Sequence, residues 1–329
     1  MSPWRLALAR LRGNRAALAS AVVLTVIVAG CLAAPLFAEH VAQTDPLASN
    51  VNGTTTVDGK TVDVVAPNAS GLGSTPLGPT LEGRYFLGAD SQGRDVMARL
   101  LYGGRASLQI ALMAALLTTL FATALGLVSG FYGGRVDALI SRFLDLIWAF
   151  PVYLLAISLA TVLLVGEGLE LGPVTVDAGS LWLPTVIIGL IYVPYLARPV
   201  RGETLSIRRQ EFVEAAIAQG TSNVRVVFGE LLPNVAPVII VFMPLIVATN
   251  ILTESALSYL SIGVQAPDAS WGSIVQDGQS LLYTRPWVSI APGILIVLTV
   301  LTLNVIGDGV RDALDPRGRL RVRRRAGPA

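Results

Sequence analysis

Residues 108–131 read LQIALMAALLTTLFATALGLVSGF. No side chain in this stretch ionises, and its length matches the roughly 20 apolar residues a helix needs to cross about 30 Å of hydrocarbon. One such stretch could be the buried helix of a soluble domain. This chain has five more, at 16–37, 143–165, 181–196, 235–257 and 290–306, whose cores carry no charged side chain, with Asp145 and Glu254 only near an end. The pattern predicts an all-α integral membrane protein with six transmembrane helices. The fourth stretch is the shortest and carries Pro184 and Pro194. Backbone groups freed by proline inside a membrane must find partners on neighbouring helices.

Composition agrees with the spans. Of 329 residues, 53% are hydrophobic and only 14% charged, against roughly 25% charged in an ordinary soluble domain. Mean hydropathy is +0.64. A soluble enzyme or a disordered chain could not carry this much apolar surface with so little charge to cover it. Cys31, the single cysteine, excludes an internal disulfide and a cysteine-based zinc site. His40, the single histidine, leaves little for metal or triad chemistry. A net charge of +2 gives no reason to expect a nucleic-acid partner.

The distribution of charge orients the chain. With the N-terminus in the cytoplasm, eighteen of the 24 Lys and Arg residues fall on the cytoplasmic side, and six, including Lys60 and Arg94, fall outside. The positive-inside rule then puts both termini in the cytoplasm. The expected organisation is a cytoplasmic N-terminus with the first helix at 1–37 and an extracytoplasmic loop at 38–107. A permeation core follows at 108–306, with a basic cytoplasmic tail at 307–329. Within the loop, 54–57 and 60–65 flank Asp58-Gly59, a strong two-residue hairpin signal. The stretch 64–81, rich in Gly, Pro, Ser and Asn, reads as plain loop.

The cytoplasmic segment 197–234 is too polar to span and too patterned to be a linker. Residues 210–218 read as a short helix with Phe212, Val213, Ala216 and Ile217 on one face. Glu211 and Glu214 lie elsewhere on it, and Gly220 suits its C-terminal stop. A second helix then runs to Leu232 and is expected to close at Pro233. The segment has the character of a rigid knob, with apolar side chains to dock on a partner and charges to orient it.

Glu214-Ala215-Ala216-Ile217-Ala218-Gln219-Gly220, followed by Leu231-Leu232-Pro233, resembles the EAA loop of the membrane subunits of ABC importers. Leu87-Gly88-Ala89-Asp90-Ser91-Gln92-Gly93-Arg94-Asp95 and Ser270-Trp271-Gly272 are similar to the peptide/nickel subgroup. So is Gly307-Asp308-Gly309-Val310-Arg311-Asp312. The first span placed before a long external loop resembles the C-type permease of dipeptide and oligopeptide systems.

This resemblance implies a type I importer permease fold in the bacterial inner membrane and no catalytic residues. A homologous second permease completes a heterodimer, two ATPase subunits bind ATP and Mg, and an extracytoplasmic binding protein delivers a peptide. The chain itself binds no cofactor. Glu211, Phe212, Glu214, Ala215, Ala216, Ile217, Gly220, Leu232 and Pro233 are the expected ATPase-coupling residues. Nickel or another small solute is the alternative cargo. An ion-coupled secondary transporter is the more distant reading, since such proteins carry ionisable groups at mid-membrane.

Three further expectations concern the spans. Gly126, Gly130 and Gly134, at four-residue spacing, should let helices pack closely. Arg142 and Asp145 should pair at the cytoplasmic edge of the third span. Glu254 is the one carboxylate near the end of a span and a candidate for gating or the pathway. It is expected near the outer boundary, within reach of water.

Overall fold

The computed structural model describes residues 9–68, 73–166, 168–171, 174–177 and 179–314. The basic tail from 315 onward lies outside them. Among the described residues, four helices are long and apolar enough to cross a membrane, and six spans result if each of two bent pairs counts as one. Helix α1 (Arg15–Leu32) starts at Asn14, whose side chain accepts from the Ala17 amide. Beyond a break at Ala33 the chain stays helical to Ala42 and stops at Gln43, where φ is 49°.

Helix α2 (Val96–Tyr132) has 37 residues and begins well before the predicted span at 108. Arg99 and Arg105 lie inside it and do not end it. The Arg99 charge is compensated, since its Nη1 lies 2.5 Å from Asp90 Oδ2 and 3.0 Å from Asp277 Oδ2. Asp95 caps the start by accepting from the Ala98 amide at 3.0 Å. Gly133, at φ +65°, ends the helix.

The third span differs from expectation. In place of one helix over 143–165 there are two, α3 (Gly134–Trp148) and α4 (Val152–Val165), which meet at 85°. Pro151 is the cause: it offers no amide to the preceding turn and forces Phe150 away from helical backbone. The fourth span is also two pieces, α5 (Trp182–Ile191) and α6 (Val193–Ile207), bent by 40° with Pro194 in the first turn of α6. It overruns the predicted end at 196 because Arg198 and Arg201 find carboxylates on α3 (Asp145 and Asp137). Asp145 therefore pairs with Arg198, not with Arg142 as its spacing had implied.

After the short helix α7 (Glu211–Ala218) the chain does not stop at Pro233. Asn223–Val226, a π turn at Val227–Leu231 and α8 (Leu232–Tyr259) run on as one continuous stretch, Asn223–Tyr259. Proline stands in the first turn of α8, and the wider π turn before it absorbs the hydrogen bond it cannot make. Helix α9 (Trp271–Asp277) opens with a reciprocal box between Ser270 and Ser273, and α10 (Trp287–Leu314) completes the bundle.

Among the described residues, three two-stranded antiparallel hairpins decorate the helices. The first joins β1 (Thr54–Val57) to β2 (Lys60–Asp63) with Val57 opposite Lys60. Asp58 and Gly59 both have positive φ, 50° and 74°, as the two-residue turn requires. The second hairpin, β3 (Val65–Pro67) with β4 (Ser74–Pro76), falls where plain loop was expected. The third pairs β5 (Gly168–Leu171) with β6 (Val174–Asp177).

In lipid, apolar burial gives no drive between helices, so association depends on close packing. Gly126 and Gly130 of α2 supply it against α6: a Cβ at Gly126 would lie 2.9 Å from the Ala197 carbonyl oxygen, and one at Gly130 3.0 Å from that of Arg201. Gly134 plays no part in that contact; it has φ +54° and nothing within 4 Å. One buried cluster gathers Leu127 and Phe131 of α2 with Leu144, Val200, Ile207, Val213 and Leu231. A second gathers Ile110 and Ala114 of α2 with Ala156, Ala160, Ile187 and Leu257. The two lie at successive levels along α2. Cys31, 1% exposed, belongs to a third cluster beside Trp271.

Candidate functional site

At the Tyr132 end of α2, α6 hands the chain to α7 through Arg208, Arg209 and Gln210. Gln210 is extended, and its carbonyl accepts from the Val213 amide at 3.0 Å and the Glu214 amide at 3.2 Å. Glu211 and Glu214 occupy the first turn, where the exposed amides of a helix N-terminus favour negative charge. At the other end, the Gly220 amide donates to Ile217 O at 2.9 Å and the Thr221 amide to Ala216 O at 3.1 Å. These two bonds close the helix only with a left-handed residue between them, and Gly220 has φ +80°.

The helix is held by one deep side chain. Val213 is fully buried among Phe131, Leu144 and Ile207, and Ala216 packs partly against the same cluster. Phe212 and Ile217, expected on that apolar face, point elsewhere and are 40% and 44% exposed. Ala215, Glu211 and Glu214 are exposed as well. Leu232 is half-buried against the core, next to the fully buried Leu231, and Pro233 is exposed. The knob thus presents apolar side chains and carboxylates outward from one anchor. Glu214 and Ile217 border a cavity of about 430 Å³ with Leu205, Arg208 and Arg209. The Arg208 guanidinium lies over the Phe131 ring, 5.8 Å from its centroid.

Two exposed apolar residues beside the knob, Val224 and Phe228, escaped the sequence reading. Their signal was the polar context: an apolar residue on each of two successive turns of a helix flanked by Asn223, Arg225 and Glu230. Among the described residues, no three His, Cys, Asp or Glu side chains gather as metal ligands would.

A family described as the inner membrane component of binding-protein-dependent transport systems matches residues 122–320. The chain belongs to that family. A second match, the N-terminal TM domain of oligopeptide transport permease C, covers residues 2–52 of this permease. The permease is 36% identical to the dipeptide transport system permease protein DppC of Alkalihalophilus pseudofirmus, over 96% of this chain and 91% of that one. It is 34% identical to the oligopeptide transport system permease protein OppC of Escherichia coli, over 97% and 92%. Its fold is similar to the methionine ABC transporter MetNI in inward-facing crystal forms. The TM-score is 0.54 at 18% identity, with 67% of this chain and 97% of that chain covered. This is the type I importer permease fold, in a multi-pass protein of the inner membrane and a non-catalytic component of its transport system. The relatives' names speak of peptides and give the nickel alternative no support.

Glu254 corrects an expectation. It is fully buried inside the permease, not near water. Ser258 Oγ donates to its Oε1 at 2.7 Å and itself accepts from the Val264 amide at 3.0 Å. Ser255 Oγ lies 3.5 Å from its Oε2, and Ser107 and Ser270 stand beside the carboxyl group. Ser107 Oγ in turn accepts from the Trp271 amide at 3.1 Å. The carboxyl group therefore ties α2, α8 and the start of α9 together, and faces no open path.

The segment 87–95 forms a compact ionic knot at the opposite end of α2 from the knob. Arg94 Nε lies 2.8 Å from Asp90 Oδ2, and its Nη2 lies 3.0 Å from Asp277 Oδ2. Gly88 and Gly93 take positive φ to fold the loop tightly. Asp95 Oδ2 accepts from the Tyr85 amide at 2.6 Å. Burial pushes the Asp95 carboxyl above the usual carboxylate range, against the pull of the Ala98 and Tyr85 amides.

Proposed function

We propose that this permease is one of two membrane subunits of an ATP-driven importer of short peptides, and that its knob docks on an ATPase. Peptide cargo is read from the names of relatives aligned over nearly the whole chain. The observation that carries the coupling role is the outward display of Phe212 and Ile217 on a helix anchored by Val213. Large apolar side chains set among charges mark a surface built for a protein partner.

In this reading the knob and both termini are cytoplasmic, and the first two hairpins stand outside. A homologous permease completes the pathway as a heterodimer, two ATPase subunits bind ATP and Mg, and an extracytoplasmic binding protein brings the peptide. Phe212 and Ile217 fill a groove in the ATPase, while Glu211 and Glu214 set the orientation. Ala215 and Ala216 allow close approach, and Gly220 stops the helix. Leu232 and Pro233 fix its return into α8. Residues 1–37, 38–107, 108–306 and 307–329 then serve as anchor, docking loop, pathway core with its coupling loop 197–234, and basic tail. ATP-driven closure shifts the equilibrium between outward and inward states because the ATPase contacts differ between them.

The test uses the full complex in proteoliposomes with radiolabelled dialanine. Glu214→Arg and Gly220→Val should leave the chain inserted and cut ATP-driven uptake at least tenfold. Uptake at the wild-type level in both variants would refute the docking role.

A further inference from the structure

Helix α6 leads directly into the knob, and one of its faces is fastened to α3. Tyr195, Arg198 and Arg201 recur at three-residue intervals along it, and residues of α3 meet them in reverse order. The Tyr195 and Trp148 rings stack with centroids 6.1 Å apart and planes 10° from parallel. Arg198 lies over the same Trp148 ring at 5.2 Å, and its Nη2 donates to Asp145 Oδ1 at 2.9 Å. Arg201 grips Asp137 with two bonds, Nε to Oδ1 at 2.5 Å and Nη2 to Oδ2 at 2.6 Å. Two parallel bonds between planar groups fix direction as well as distance.

The far end of α3 is the 85° corner into α4. Helix α4 does not pack with the knob. Its Ala156 and Ala160 sit in the cluster around Ile110 and Ala114, nearer the α2 N-terminus. The chain therefore offers a mechanical route that leaves α6 sideways: zipper, corner, then α4 at the other level of the bundle. We propose that Asp137 and Asp145 are positioning residues that bind α3 to α6, so that displacement of the coupling helix is delivered to α4. This rests on the coupling role proposed above. Neither aspartate lies on the knob, so ATPase docking does not need them.

The experiment reads uptake of radiolabelled dialanine per ATP hydrolysed, with binding protein present and the full complex in proteoliposomes. Asp137→Asn should keep ATP hydrolysis within twofold of wild type and lower uptake per ATP at least fivefold. The charge swap Asp137→Arg with Arg201→Asp should recover at least half of the loss, which assigns the effect to this pair and not to the bonds Asp137 accepts from Ser129 and Ser141. Asp145→Asn, at a half-exposed pair, should lower uptake per ATP two- to threefold. That variant decides the matter if Asp137→Asn yields no complex. Wild-type uptake per ATP in both single variants would overturn the zipper while leaving the coupling role standing. A wild-type complex without ATP-dependent uptake would instead overturn the coupling role and the zipper with it.

Discussion

Gly126→Ala is the smallest change that should disturb the contact on which α6, and so the knob, is mounted. The added methyl would lie 2.6 Å from Val200 Cγ1 and 2.9 Å from the Ala197 carbonyl oxygen. Carbon atoms sit best at about 3.5–4.0 Å, so the helices must part by about 1 Å. Rotating Val200 does not relieve the clash, because the carbonyl belongs to the α6 backbone. Overpacking of this kind costs about 1–3 kcal/mol. Gly130→Ala meets Thr204 Cβ at 2.6 Å and the Arg201 carbonyl at 3.0 Å, one turn along the same helix pair. A single outward shift of α6 relieves both clashes, so the double variant should cost less than the sum of the singles, by about 0.5–3 kcal/mol. Gly293→Ala, inside α10 with nothing within 4 Å, serves as control and should not destabilise, gaining up to about 1 kcal/mol from helix propensity. Unfolding of the purified permease by SDS titration, followed by far-ultraviolet circular dichroism, measures all four. A Gly126→Ala cost below about 0.5 kcal/mol, or strict additivity with Gly130→Ala, would refute this account of the α2–α6 contact.

Asp95→Ala removes both the cap of α2 and the acceptor for the buried Tyr85 amide, and should destabilise by about 2–4 kcal/mol in the same titration. Because its folded-state pKa is raised, Asp95 binds its proton more tightly folded than unfolded. Its contribution is therefore full below the unfolded pKa and is lost as pH rises through the folded one; Asp95→Asn should flatten that part of the profile. Topology is checked in a Cys31→Ser background: an impermeant thiol reagent on intact cells should label Lys60→Cys and spare Arg209→Cys, and labelling at Arg209→Cys would invert the orientation. Deleting 54–65 should spare insertion and weaken recovery of the assembled complex, measured by affinity pull-down of the ATPase and binding protein.

The spans were legible because lipid tolerates few charges, so charge-free intervals stand out. The helix at Glu211–Ala218 was legible because Gly220 marks a conformation few other residues adopt. Asp58-Gly59 gave the first hairpin for the same reason. What escaped depended on partners distant in sequence. Nothing near Arg99 tells that Asp90 and Asp277 neutralise it and let α2 begin at Val96. Asp145 had Arg142 close by and chose Arg198, because the break at Pro151 lays α3 along α6. That break could have been read from the proline itself, which restricts the residue before it. Pro233 misled in the opposite sense, since a π turn can carry a helix past a proline. Glu254 looked like a boundary residue by position alone. The serines that enclose it come from three separate parts of the chain.

The 37 residues of α2 extend about 55 Å at 1.5 Å per residue, nearly twice the roughly 30 Å of the hydrocarbon layer. The surplus is gathered at the Val96 end, where the first two hairpins and the Asp90–Arg94 knot are rooted. Helix α2 is therefore a pedestal as well as a span. It holds the hairpins and the ionic knot at one end of the bundle, beyond the uncharged stretch 108–131.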